Sequence, residues 1–169
     1  MGESFGKVLL KELESYSRDN DAHKAIKGIL ALNADNPFDR ASKHWYLAML
    51  MNQSNDLQGA LKHVVLALET PVLNARQYLD LLRLEINTHF ALGQYKVVKQ
   101  KIENYFAYAA NEDHTKQLAQ LAYIAKIQND SNEYDRLFAK IKNSDEALEY
   151  LKKLNNPPLN QSPPAVKRT

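Results

Sequence analysis

Four pairs of apolar residues recur along the chain at nearly equal intervals, and this repeat limits the possible folds more than any other feature. Within each pair the second residue follows the first by four positions, which places both on one face of an α-helix. The pairs are Ala25 with Ile29, Ala60 with Val64, Val98 with Ile102, and Leu137 with Ile141, at spacings of 35, 38 and 39 residues. Spacings of this size predict repeated units of two helices each.

Helical periodicity extends through most of the sequence and predicts nine helices. The first two follow the segments GKVLLKELESYS and DAHKAIKGILALNADNP, the second stopping before Pro37. The others are expected at about 41–53, 57–69, 76–92, 95–109, 115–129, 132–142 and 145–154, the last capped by Ser144 or Asp145. Turn-forming segments separate them, and no alternating strand pattern competes. The sequence therefore predicts an all-α fold.

The motifs within these units resemble the tetratricopeptide repeat, whose pattern runs W-x2-L-G-x2-Y, then A-x3-F, then P. The second unit is most similar, with Leu47-Ala48-x2-Met51, Ala60-x3-Val64, Ala67 and Pro71. The first offers Leu9, Leu13, Tyr16, Ala25-x3-Ile29, Leu32 and Pro37, the third keeps ALGQY, and the fourth keeps Ile124-Ala125 and Tyr134. The glycine of the repeat is replaced throughout, and units three and four lack its proline. The resemblance covers about residues 6–145.

This resemblance implies an α-solenoid of antiparallel helix pairs with a short C-terminal capping helix. An irregular helical bundle is the alternative. Residues 1–155 are expected to form the tetratricopeptide-like helical repeat domain. Residues 156–169, which are rich in Pro and Asn, are expected to be a disordered tail.

Little in the sequence points to catalysis or to a cofactor. No phosphate-binding glycine motif, nucleophile elbow or cysteine occurs. The five histidines (His23, His44, His63, His89 and His114) are scattered, so each is expected on a helix surface or in a turn, with no metal bound. The prediction is a protein that is not an enzyme and has no cofactor.

The sequence also suggests a location for the protein. No apolar run reaches the ~20 residues of a membrane span, and the first residues do not resemble a secretion signal. A cytoplasmic location is the prediction, and an exported protein that lacks its signal is the alternative.

The resemblance implies a protein–protein interaction module: an adaptor, a scaffold or a client-holding chaperone that binds a peptide or a helix in a concave groove. An RNA-binding helical-repeat protein is the alternative, because Lys96, Lys99 and Lys101 cluster on one helix. Glu103 follows them and the formal net charge is only +2, which makes nucleic acid the less favoured partner. A homodimer is possible.

The register of the repeat predicts which side chains line this groove. The candidates are Trp45, Tyr46, Met49, Asn52 and Gln53 from unit two, Arg83, Leu84, Asn87 and Phe90 from unit three, and Tyr123 and Lys126 from unit four. Leu47, Ala48 and Met51 are expected to be buried. Core packing is the alternative role for Trp45. Leu10 and Glu14 occupy positions where carboxylate-binding family members carry basic or amide groups, so recognition of acidic C-terminal tails is not expected.

Overall fold

The computed structural model describes residues 2–110 and 113–156, and all the regular secondary structure in these ranges is α-helical. The nine helices of the described residues are α1 (Glu3–Asp19), α2 (Ala22–Leu30), α3 (Pro37–Gln53), α4 (Leu57–Leu68), α5 (Ala75–Ala91), α6 (Tyr95–Tyr108), α7 (Thr115–Ile127), α8 (Ser131–Ile141) and α9 (Asp145–Asn155). The predicted all-α class is confirmed. Of the predicted tail, residues 157–169 lie outside the described ranges.

The first turn of α3 is where the sequence prediction of helix bounds was wrong. The expected start was about residue 41, but the helix begins at Pro37. The fixed φ of proline suits the first helical position, where no backbone N–H is needed. Asn36 caps this turn, since its side chain accepts a hydrogen bond from Asp39 N at 2.9 Å. The preceding helix ends at Leu30, so residues 31–36 form a connection that was predicted as helix.

One turn conformation recurs within the four successive helix pairs. Each turn contains a residue with positive φ: Asn20 (52°), Asn55 (63°), Gly93 (70°) and Asn129 (60°). In three of them the next residue caps the following helix, as Asp21, Asp56 and Asp130 each accept a backbone N–H three positions later. Asn and Gly are the residues that adopt this left-handed conformation most readily. The same local chemistry therefore repeats with the period of the apolar pairs.

Asn55 offers a direct measure of this turn. Its side chain is exposed, so substitutions act mainly through the backbone. Asn55→Ala is expected to lower the free energy of unfolding by about 1 kcal/mol, because a β-carbon disfavours positive φ. Asn55→Gly should change it by less than about 0.5 kcal/mol, because glycine adopts that φ freely. Urea denaturation followed by circular dichroism measures both, and equal losses would contradict the argument.

The recurring apolar pairs form the centre of the core. All eight of their residues are buried, none with more than 2% of its surface exposed. The described chain divides into two compact units at the Leu92–Gly93 bond. In unit 1, which contains α1–α5, consecutive helices pack against one another and α3 also contacts α5. In unit 2, which contains α6–α9, helix α7 packs against α6, α8 and α9.

Helix α3 connects two apolar clusters within unit 1. Leu47 and Leu50 pack with Phe5 and Leu9 of α1 and with Ala25 and Ile29 of α2. Ala48 packs instead with Val64 and Ala67 of α4 and Leu81 of α5. Side-chain hydrogen bonds also join α3 to α1 and α5, which are the first helices of the neighbouring pairs. Tyr16 Oη of α1 donates to Gln53 Oε1 at 2.8 Å, and Asn52 Nδ2 donates to Thr88 Oγ1 of α5 at 2.9 Å. Helix α3 is therefore held on both sides.

Unit 2 contains comparable contacts between α7 and α9. Lys126 Nζ donates to Asn155 Oδ1 at 2.8 Å, and Gln120 Nε2 donates to Tyr150 Oη at 3.3 Å. Ser144 caps α9 by accepting from Ala147 N at 3.2 Å, as the sequence predicted. Among the described helices, none combines the length and apolar character needed to cross a lipid bilayer.

Candidate binding surface

The side chains of α3 divide into a buried set and a partly open set. Leu47, Ala48, Leu50 and Met51 are buried, which confirms the prediction for three of them and adds Leu50. Trp45, Tyr46 and Met49 are half-buried, and Gln53 is exposed. Because residues three and four positions apart are neighbours on a helix, these last four side chains form one continuous patch. We refer to Trp45, Tyr46, Met49 and Gln53 as the open face of α3.

Core contacts fix the two aromatic residues of this face. Trp45 packs against the apolar cluster that contains Ala48 and Leu81, whereas Tyr46 packs against the cluster that contains Leu50. Their rings stack on each other, with centroids 5.9 Å apart and planes inclined by 23°. Each ring therefore has one side anchored in the core while part of its surface remains accessible. Trp45 therefore makes the core contacts that were the alternative to a groove position, and its place in a groove stays a prediction.

Helix α5 provides the unit-three candidates of the predicted groove. Leu84 packs against the same cluster as Trp45, which places it beside α3. Arg83 Nη1 forms an ion pair with Asp80 Oδ1 at 2.9 Å, so its charge is partly neutralised on its own helix. Asn87 is exposed and Phe90 is half-buried. The chemistry of α5 is thus more polar than that of the open face of α3.

The two candidates from the fourth sequence repeat, Tyr123 and Lys126, lie in compact unit 2 of the structure. Tyr123 is buried, with 9% of its surface exposed, and its ring meets that of Tyr95 edge-on at 6.4 Å. Burial, followed by the neighbouring Tyr123 hydroxyl, raises the pKa of Tyr95 to about 12. Tyr95 is therefore neutral at any ordinary pH. Lys126 is exposed and donates to Asn155.

A histidine pair is the feature that the sequence analysis missed. The expectation that every histidine lies on a helix surface or in a turn is wrong for His63 and His89, each only 9% exposed. His44 and His63 meet between α3 and α4, with their Nδ1 atoms 2.9 Å apart. The positions of the two histidines on their helices could have indicated their burial. His44 precedes buried Leu47 by three residues and His63 follows buried Ala60 by three, so each shares a face with a buried residue.

The charges and possible metal ligands of the described residues are dispersed. In the ranges 2–110 and 113–156 no three His, Cys, Asp or Glu residues converge as a metal site would require. Lys99, from the lysine cluster of α6, donates to Gln128 Oε1 at 2.8 Å. The geometry therefore supplies an aromatic and methionine surface more readily than an ion-binding one.

Comparison of the chain with protein-family models, with curated proteins and with solved structures finds no match in any of the three. The open face of α3 and the repeated local structure around it are therefore the features that bear on function.

Proposed function

We propose that the protein is a non-catalytic interaction module that binds a peptide or a helix of a partner protein on the open face of α3. The observation that carries this proposal is the patch of Trp45, Tyr46 and Met49, whose side chains are accessible in part and anchored in the core in part. Aromatic rings provide a large contact area, and methionine adapts its shape to a partner. Anchoring reduces the side-chain entropy that binding would otherwise cost.

We also propose that the helices form a tetratricopeptide-like α-solenoid. The recurring Asn or Gly turn, the eight buried residues of the apolar pairs and the hydrogen bonds between successive first helices support this arrangement. Helix α9 packs on α7 as the first helix of a further unit would, which suits a capping role. In such an array the open face of α3 would be part of a concave surface.

An adaptor, a scaffold or a client-holding chaperone in the cytoplasm fits this surface. Arg83, Asn87 and Phe90 of α5 are its proposed extension within unit 1, and Tyr123 and Lys126 of α7 remain predicted site residues of unit 2. Recognition of a free acidic C-terminus remains disfavoured, because the patch on α3 is apolar and Arg83 is already paired with Asp80. The preferred ligand is a segment with apolar side chains, since these gain most from contact with Trp45 and Met49.

Met49 allows the clearest test of binding, because Trp45 and Tyr46 also pack against the core clusters. Peptides selected from a random phage-displayed library on the wild-type protein would be synthesised and titrated calorimetrically. Met49→Glu is expected to weaken their binding by at least about tenfold, since it places a charge in an apolar contact. The matched control is Val65→Glu on α4, where 39% of the valine surface is exposed.

The control should bind the selected peptides with unchanged affinity, and both variants should keep the wild-type circular dichroism spectrum. Peptides that bind Met49→Glu as tightly as wild type but lose affinity for Val65→Glu would refute the location of the site. Failure to select any peptide, together with salt-sensitive retention on an RNA column, would favour the nucleic-acid alternative.

A further inference from the structure

Whether the His44–His63 hydrogen bond can form depends on how many protons the two rings carry. The two rings stack with centroids 5.0 Å apart and planes inclined by 24°, and the Nδ1 atoms lie within hydrogen-bonding distance. One Nδ1 must carry a proton and donate, while the other must be unprotonated and accept. At least one ring must therefore be neutral. When both rings are protonated, both Nδ1 atoms are donors and the hydrogen bond is lost.

The surroundings of the pair oppose a second positive charge. Lys43, next to His44 on α3, and Lys62, next to His63 on α4, both disfavour protonation. Asp56, which caps α4, is the acidic group that acts on His63 in the other direction. Burial is the largest cause that lowers the pKa of each histidine below the ordinary value of 6.5, followed by Lys43 for His44 and by His44 for His63.

We infer that the His44–His63 contact is an acid-sensitive link between α3 and α4, intact while one imidazole is neutral and broken when both are protonated. The link joins α4 to α3. Both helices contribute buried residues to unit 1, and α3 also carries the open face. It is independent of the proposed binding function, because it requires only the geometry of the pair.

The sign of the pH dependence follows from the lowered pKa values. In the unfolded chain each histidine takes up its proton near pH 6.5, whereas in the folded chain it resists protonation until lower pH. The contribution of the pair to the free energy of unfolding is therefore complete above pH 6.5. It is lost as the pH falls from there through the lowered pKa values of the folded state. Each paired histidine can reduce the folding equilibrium constant by up to about thirtyfold between pH 7.5 and pH 5, which is the limit for a ring that stays neutral in the folded state.

The experiment uses Trp45, the single tryptophan of the chain, as its reporter, because it directly follows His44. Urea unfolding is followed by Trp45 fluorescence at both pH values, with EDTA present, for the wild type and for the double variant His44→Asn with His63→Asn. Asparagine keeps a donor and an acceptor near the Nδ1 positions but does not titrate. His23→Asn is the matched control, since His23 is exposed on α2.

The wild type and the His23→Asn control are expected to lose folding equilibrium constant on acidification, by up to about thirtyfold for each paired histidine, and the double variant is expected to lose clearly less. An equal loss in all three proteins would overturn the inference. If the double variant does not fold, nuclear magnetic resonance titration of the wild-type histidine ring protons decides. The inference predicts that one or both of the paired rings titrate below the ordinary value of 6.5, and titration of both rings at that value would refute it.

Discussion

Replacing Leu50 by alanine is expected to lower the free energy of unfolding by about 3 to 4 kcal/mol. Leu50 is fully buried and packs with Phe5 and Leu9 of α1 and with Ile29 of α2. Truncation removes the transfer free energy of the side chain and leaves a cavity among residues from three helices, which cannot all move inward to fill it. Urea denaturation followed by far-ultraviolet circular dichroism measures the loss.

The neighbouring Met49 is the matched control for Leu50. It precedes Leu50 on the same helix, but its side chain is half-buried and belongs to the open face. Met49→Ala should cost less than about 1 kcal/mol, because part of the side chain is already in water before the change. Similar costs for the two substitutions would mean that the open face of α3 is part of the core, and the proposed binding surface would lose its basis.

The Leu50 and Met49 pair also illustrates how far sequence reasoning extends. An uninterrupted run of apolar and aromatic residues on α3 indicates that more than one face is covered. Periodicity assigns Leu47, Ala48 and Met51 to one buried stripe. It does not separate Leu50 from Met49, because that difference depends on where α1 and α5 pack, which is long-range information.

Local signals predicted the helices well because caps and turns act over three or four residues. The predicted start of α3 was wrong because that prediction relied on the positions of apolar residues. Apolar periodicity does not detect this start, because the first two turns of α3 bury the polar residues Asp39 and Ser42. A capping pattern with Asn36 before Pro37 was the available signal.

The contact between the two histidines, and the clusters that Trp45 and Tyr46 join, could not be predicted from the sequence for a different reason. His44 and His63 lie 19 positions apart on different helices, so their contact depends on the rotation of α3 against α4. Tyr46 packs with the cluster containing Leu50, whereas Trp45 packs with the cluster containing Leu81. The spacing of residues within one helix determines on which face of that helix a side chain lies. Which side chain it meets there depends on how the helices pack together.

Asp39 connects the starts of two helices through a buried carboxylate. Only 3% of its surface is exposed, and its Oδ1 and Oδ2 atoms accept from the backbone N–H of Gly2 at 3.0 and 3.1 Å. Asn36 Nδ2 donates to Oδ2 at 2.7 Å. Gly2 is the N-cap of α1, and Asp39 lies in the first turn of α3, where the helix dipole favours a negative charge.

Asp39→Ala is therefore expected to lower the free energy of unfolding by about 2 to 3 kcal/mol, because the partly buried N–H donors of Gly2 and Asn36 lose a charged acceptor. Asp39→Asn keeps the shape but not the charge, and should cost about half as much. Asp35→Ala is the control, since Asp35 is exposed and its side chain can be removed at a cost below about 0.5 kcal/mol. Urea denaturation measures all three. If Asp39→Ala proves no more costly than the control, the carboxylate does not stabilise the contact between α1 and α3. That contact must then depend on the apolar cluster around Leu47 and Leu50 and on the hydrogen bond from Tyr16 to Gln53.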